Sequence, residues 1–260
     1  MNIAFFGDIV GKSGRRVIAH FLPDLKKERQ IDFVIANVEN AAGGFGITEK
    51  SIEDLEKAGV DFFTSGNHIW DNKDGVAVLD AQDNIIRPAN YPGEVPGNGY
   101  RIVGAGEHAI AIVNVQGRVF MPAIDCPFRA VDRIFKEVSA QTRVFIVDIH
   151  AEATSEKIAM GWHLDGRASL VVGTHTHVPT KDCRILLRGT GYVTDVGMSG
   201  SNDSVLGMEK EAVLQRFLQM RPSRFQVAKK DLRCDFVLAQ IDTSTGRTVN
   251  IEHMQLRKED

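Results

Sequence analysis

The sequence predicts an α/β fold, and three observations carry that prediction. The chain has 260 residues, enough for one large hydrophobic core. Its first third alternates short apolar runs with segments of helical spacing, the pattern of βαβ units. Further apolar runs follow to the C-terminal end, uninterrupted by any internal repeat or low-complexity linker, so residues 1–260 are read as one domain.

The elements follow in order. "NIAFFG" is a strand ended by glycine. "SGRRVIAHFLPDLKKER" is a helix with Val17, Ile18, Phe21, Leu22 and Leu25 on one side, and Pro23 marks a kink or early turn in it. "DFVIANVEN" is a second strand. "TEKSIEDLEKAG" is a helix with Thr48 as N-cap, Ser51 outside the capping-box position and Gly59 as C-cap. "VDFFTSGNH" is a third strand running into a turn. Residues 71–100, with Pro88, Pro92, Pro96 and several glycines, read as irregular and as a candidate interface in a homo-oligomer. "HAIAIVNVQG" and "RVFIVDIHAE" are strands with the helix "FRAVDRIFKEVSAQ" between them. "ASLVVGTHTH", "CRILLRGTGYVTDVG" and "DFVLAQIDTSTGRTVNIEHMQ" add strands, the last a hairpin turning at residues 242–246. The later half is expected to be the more antiparallel one.

Composition excludes several classes. Lys plus Arg is 31 and Asp plus Glu is 34, a formal charge of −3 that gives duplex nucleic acid no basic surface. Cys126, Cys183 and Cys234 are far apart and odd in number, which fits reduced thiols rather than a disulfide framework or a zinc finger. The start "MNIAFFGDIVGKSG" lacks the basic region of a signal peptide, and no apolar run approaches the ~20 residues of a membrane span. A cytoplasmic protein without membrane contact is expected.

The apolar runs share a habit: each ends in a residue able to bind a metal. The first ends at Asp8, the second at Glu39 and Asn40, the third at Asn67 and His68, a later one at His150 and another at His175 and His177. Ligands of α/β sheets gather at the carboxyl ends of strands. Singly, Asp8 or Asn67 reads better as a turn former, and His68 or His150 as a satisfied polar residue. Jointly the pattern points to one rim. In "GTHTHVPT", strand spacing sends His175 and His177 to the same side. Oxygen and imidazole donors without thiolate suit iron, manganese or zinc. A bridging glutamate can join two ions about 3.5–4 Å apart, as in phosphatases and nucleases.

The order Gly-Asp, acid, "GNH", lone His, "GTHTH" resembles the calcineurin-like metallophosphoesterases. The usual Asp-x-His opening is replaced here by Asp8-Ile-Val10, and the usual bridging Asp by Glu39. With "GDIVGKSGR", "NVENAAGGFGIT", "SGNHIWD", "DIHAEATSEK" and "GTHTHVPT", these departures resemble the YmdB-like phosphodiesterase branch. The resemblance implies a four-layer αββα sandwich, two mixed sheets flanked by helices. It implies a phosphodiesterase acting on small cyclic nucleotides, 2′,3′-cyclic ones above all, with a phosphomonoesterase of the same fold as the alternative. It also implies two metal ions, Fe or Mn first and Zn next. One ion would take Asp8, Glu39 and His177, with Asn40 replacing the absent histidine unless Asn40 only shapes its turn. The other would take Glu39, Asn67, His150 and His175. A hydroxide shared by both would attack phosphorus, and His68 would protonate the leaving alkoxide.

Remaining features are weaker. His163, in "MGWHLDGR", is a minor candidate for the pocket wall, and His20 and His253 read as surface residues. Gly43, Gly44 and Gly46 read as turn formers ahead of phosphate contacts. "GDIVGKS" is not a P-loop, since three residues rather than four separate Gly7 from Gly11. An amidohydrolase would open on its His-x-His. A metal-stabilised regulatory protein stays open, although such a protein has no use for His68.

Overall fold

The structure, a computed structural model, describes residues 1–258. Strands β1 (Asn2–Phe6) and β2 (Asp8–Ile9) precede helix α1 (Gly11–Glu28), β3 (Phe33–Asn37), α2 (Glu49–Ala58), β4 (Phe62–Thr64) and α3 (Gly75–Ala81). Then come β5 (Tyr100–Ala105), β6 (His108–Gln116), α4 (Pro127–Val138), β7 (Val144–His150), α5 (Thr154–Leu164) and β8 (Leu170–Thr174). The remaining elements are β9 (Arg184–Ile185), β10 (Gly191–Val193), β11 (Met198–Ser201), α6 (Lys210–Gln219), β12 (Leu232–Asp242) and β13 (Arg247–Lys258). One sheet runs β2-β11-β12-β1-β3-β4, with β13 also paired to β12, and the other runs β5-β6-β7-β8-β10-β9.

Strand alternation builds the layers. Ile3 and Phe5 of β1, with Phe33 and Ile35 of β3, face Ile110, Ile112, Ile146 and Val172 of the second sheet. Ala4, Phe6, Val34 and Ala36 face the other way, against Val17, Ile18 and Leu22 of α1 and Ile52 and Leu55 of α2. On the far side, Val113, Phe145 and Val147 meet Val131 and Ile134 of α4 and Met160 of α5. The result is the expected four-layer αββα sandwich, each fully buried Ile or Phe contributing about 1.5–3 kcal/mol.

Direction matters more than layering for function. β1, β3 and β4 run parallel, as do β6, β7, β8 and β10. Their carboxyl ends therefore emerge along one edge of the sandwich, carrying Asp8, Glu39, Asn67, His150 and His175 with them.

Several expectations change. The turn expected at Pro23 is absent, and α1 continues to Glu28 because Leu22 and Leu25 on either side of the proline are buried in the core. Ser51 is the N3 residue of α2 and completes a reciprocal capping box with Thr48. Gly59 caps α2 in the left-handed conformation, φ 103°. Residues 71–100 contain α3, whose Val78 and Leu79 reach the core. The later half is the more antiparallel one, as expected: β1, β3 and β4 pair only in parallel with one another, and every antiparallel pair includes a strand from residue 100 onward. Its antiparallel pairs are β5–β6, β9–β10 and those that β12 makes with β1, β11 and β13. Helices α5 and α6 and strands β5 and β11 were not foreseen.

Candidate metal centre

Four side chains meet behind the end of β7. His150 Nε2 lies 3.1 Å from Glu39 Oε1, 3.1 Å from Asn67 Oδ1 and 3.0 Å from His175 Nδ1. The ligand atoms of Glu39, His150 and His175 all fall within 4.8 Å of one another. Gly66 makes this approach feasible: a Cβ there would sit 2.3 Å from the His150 ring and 2.4 Å from Glu39 Oε2.

Asp8, Asn40 and His177 form the adjoining group. His177 Nε2 is 3.3 Å from Asn40 Oδ1 and 3.8 Å from Asp8 Oδ1. Asn40 Nδ2 donates to the Gly44 carbonyl at 3.0 Å, which turns its oxygen toward His177. Asn40 thus both shapes its turn and presents a donor atom. Gly43, Gly44 and Gly46 in that turn all have positive φ, as turn formers should.

The outer atoms of the imidazoles are tied down. His150 Nδ1 contacts Thr174 Oγ1 at 2.9 Å, and that hydroxyl donates to Asp148 at 2.7 Å. His177 Nδ1 donates to the Leu206 carbonyl at 3.0 Å, and His175 Nε2 pairs with Glu152 at 3.1 Å. Each ring is oriented by its far nitrogen and turns its other nitrogen inward, as metal-binding histidines do. Asp8 accepts the His175 backbone N–H at Oδ2, 3.0 Å, while its Oδ1 is fully buried without a hydrogen-bond partner. An orphaned buried carboxylate oxygen facing imidazole and amide acceptors fits a divalent cation, and the donor set suits Fe, Mn or Zn.

Electrostatics agree. Burial alone would raise the Glu39 carboxyl, but the His150 imidazole beside it holds it at about 2. Burial likewise opposes the charge on His150, and the Glu39 carboxylate outweighs it, holding His150 at about 9. Burial, with the His150 cation next, pushes His175 down to about 3, so that ring is neutral and free to donate a lone pair. Burial pushes the Asp8 carboxyl up against the pull of His177 and His150.

His68 stands apart from this cluster. Its backbone N–H donates to Glu39 Oε2 at 2.9 Å, while its ring points into the cleft. Asp71 holds Nδ1 at 2.7 Å, and Phe45 packs edge-on at 5.0 Å between centroids. The cleft, about 740 Å³, is walled on the other side by Leu206, Met208, Phe217 and Phe225.

The structure brings Asp8, Glu39, Asn40, Asn67, His68, His150, His175 and His177 to this one cleft edge. It does so differently from the strand-spacing argument. β8 ends at Thr174, and His175 and His177 both lie beyond it in left-handed backbone, φ 97° and 63°. A loop, not the pleat, aims them. His163 does not line the pocket: it pairs with Asp132 at 2.9 Å and packs on Phe128, between α4 and α5. His20 is exposed as expected, whereas His253 is half-buried and contacts the Val196 carbonyl at 2.9 Å. Reasoning from sequence missed Asp71 and Glu152, although "SGNHIWD" and "DIHAE" contain both. It also missed Lys157 and Asp195, whose buried pair at 2.6 Å lies under the histidine loop.

Comparison with known proteins locates the chain. The model of the family described as YmdB-like protein matches residues 4–254. A 2′,3′-cyclic-nucleotide 2′-phosphodiesterase of Bacillus subtilis is 46% identical over 254 residues, 98% of this chain and 96% of the relative. A crystal structure from Thermus thermophilus matches with TM-score 0.94 and 43% identity, covering 99% of this chain and 100% of that one. That of a novel phosphatase from Mycoplasma pneumoniae matches with TM-score 0.94 and 33% identity, covering 100% and 94%.

Proposed function

The chain belongs to the YmdB-like family, and from that premise we propose that it is a metal-dependent phosphodiesterase that opens 2′,3′-cyclic nucleotides. The observation that carries this reading is the arrangement around Glu39. One of its oxygens faces His150, Asn67 and His175, and its carboxylate is near enough to Asp8 to raise that carboxyl. We assign one ion to Asp8, Glu39, Asn40 and His177 and a second to Glu39, Asn67, His150 and His175, Fe or Mn in each case. Such ions supply an activated water and charge to stabilise the phosphoryl oxygens.

The protein's own groups do the rest. Asn40, locked by Gly44, and His177, locked by Leu206, are held in place before any ligand arrives. His68 is the general acid. Asp71 on Nδ1 leaves Nε2 to give its proton to the ribose oxygen expelled from phosphorus. Phe217 and Phe225 form an apolar wall of the cleft on the side away from the ligands. Among the described residues no helix is long and apolar enough to cross a membrane, and the cytoplasm is the compartment assigned by this reading.

A substrate panel with His68→Ala tests it. The wild type should open a 2′,3′-cyclic nucleotide faster than a 3′,5′-cyclic one or a phosphomonoester. His68→Ala should keep its metal and lose roughly 10²–10⁴-fold on the cyclic nucleotide. It should lose less on a nitrophenyl phosphodiester, whose leaving group needs no proton. Preference for monoesters would favour a phosphatase, and metal loss in the variant would make His68 a ligand.

A further inference from the structure

The metal-site cleft does not end at its apolar wall. Phe225 borders it on one side and on the other borders a second cleft of about 560 Å³. Lys12, Arg15, Arg224 and Lys229 line this second cleft, and among the described residues no carboxylate does. Arg15 is engaged by Asp54 at 3.3 Å, but Lys12, Arg224 and Lys229 are exposed and make no ion pair among the described residues. Arg216 and Arg221 continue the positive charge along the lip of the metal-site cleft, with Arg216 stacked over Phe225 at 5.2 Å. Aromatic side chains line the same metal-site cleft as Arg216 and Arg221. Phe45 lies beside His68, and Phe217 is 73% exposed at the cleft edge.

A chain of net charge −3 thus keeps a run of cations leading away from the reaction centre, of which Lys12, Arg224 and Lys229 have no acidic partner among the described residues. A mononucleotide has no use for that run, since its single phosphate lies at the metals. Cations alongside aromatic faces suit a single strand, whose phosphates pair with the cations while its bases stack. Resting on the reading above, we infer that the substrate is a single-stranded oligoribonucleotide ending in a 2′,3′-cyclic phosphate. The terminal ribose and its cyclic phosphate occupy the metal site, and the chain 5′ to it runs past Phe225 into the Lys12–Arg224–Lys229 cleft. Water adds across one P–O bond of the ring: its hydroxyl goes to phosphorus and its proton to the released ribose oxygen, leaving a terminal monophosphate. Single strand is specified because only unpaired bases offer their faces for stacking on the exposed aromatic side chains of the cleft.

The test compares the metal-loaded full chain on a 2′,3′-cyclic mononucleotide and on a hexanucleotide with the same cyclic end. The hexanucleotide should have the lower KM at low salt. With three phosphates neutralised, its KM should rise on the order of 20-fold from 50 to 200 mM salt, while that of the mononucleotide changes little. The triple variant K12S/R224S/K229S should erase the hexanucleotide's advantage and flatten its salt dependence. It should turn over the mononucleotide at the wild-type rate, which also shows that it folds. Equal KM for the two substrates in the wild type, or an unchanged hexanucleotide KM in the variant, overturns the inference and leaves the phosphodiesterase reading intact. Failure to cleave either substrate overturns that reading and this inference with it.

Discussion

Replacing Lys157 with Met should destabilise the protein and weaken the metal site from a distance. Lys157 lies on α5, with Nζ 2.6 Å from Asp195 Oδ2, and both side chains are 1% exposed. The same Asp195 oxygen accepts the Thr176 hydroxyl at 2.7 Å and the Thr176 N–H at 3.2 Å, and Oδ1 accepts the Gly197 N–H at 2.8 Å. Thr176 is the residue between the two loop histidines. Removing Lys157 leaves a buried carboxylate without its counter-charge, which costs about 3–5 kcal/mol. That is large against a total stability of about 5–15 kcal/mol. Urea unfolding after chelator treatment measures the loss without metal, read as a lower midpoint at unchanged slope. Calorimetric titration with Mn²⁺ then reports the site, where affinity should fall because Asp195, which anchors the His175–His177 loop through Thr176, has lost the ammonium that fixes it. Lys157→Met with Asp195→Leu should recover stability by removing the lone charge, but not affinity, since Thr176 then loses the carboxylate that anchors it. A loss below about 1 kcal/mol with unchanged Mn²⁺ affinity would show that the pair neither stabilises the fold nor positions the loop.

Other consequences are as direct. Glu39→Gln should weaken both ions together, whereas Asn67→Ala should chiefly weaken one; two full equivalents of metal in Glu39→Gln would end the bridging assignment. Asp71→Asn should keep both ions and slow the opening of a cyclic nucleotide, by less than the roughly 10²–10⁴-fold of His68→Ala. An unchanged rate would leave Asp71 without a role in orienting His68. Burial pushes the Cys183 thiol up to about 11 and the Cys234 thiol up to about 12. Because the thiolate is the reactive form, iodoacetamide should leave both untouched in native protein at pH 8 and modify Cys183 only as pH rises toward 11. Mass spectrometry showing Cys234 modified in folded protein at pH 8 would contradict its burial.

The residues of the site were legible because strand direction made them so. Asp8, Glu39, Asn67 and His150 sit at the carboxyl ends of parallel strands, and a run of apolar residues ending in a polar one can be read without coordinates. The aim of His175 and His177 was not legible. Both adopt left-handed backbone, which histidine visits rarely and which strand spacing cannot foretell. Asp71 was hidden for a different reason. It meets His68 through the turn at Gly66–Asp71, a local geometry on which strand periodicity is silent. Pro23 makes no early turn because burial of Leu22 and Leu25 outweighs the lost hydrogen bond. Helix α6 was missed because its apolar residues are mostly exposed, with Leu214, Phe217 and Leu218 facing solvent and only Val213 buried. A helix that serves as the wall of a cleft carries little of the amphipathic signal by which core helices are recognised.

The central claim is that Glu39 joins two metal sites. A crystal of the protein soaked in Mn²⁺, measured at an energy where manganese scatters anomalously, tests it most directly. Two peaks about 3.5–4 Å apart are expected, one against Asp8, Asn40 and His177, the other against Asn67, His150 and His175, with a Glu39 oxygen on each. A single peak at full loading, or two peaks of which only one touches Glu39, would contradict it.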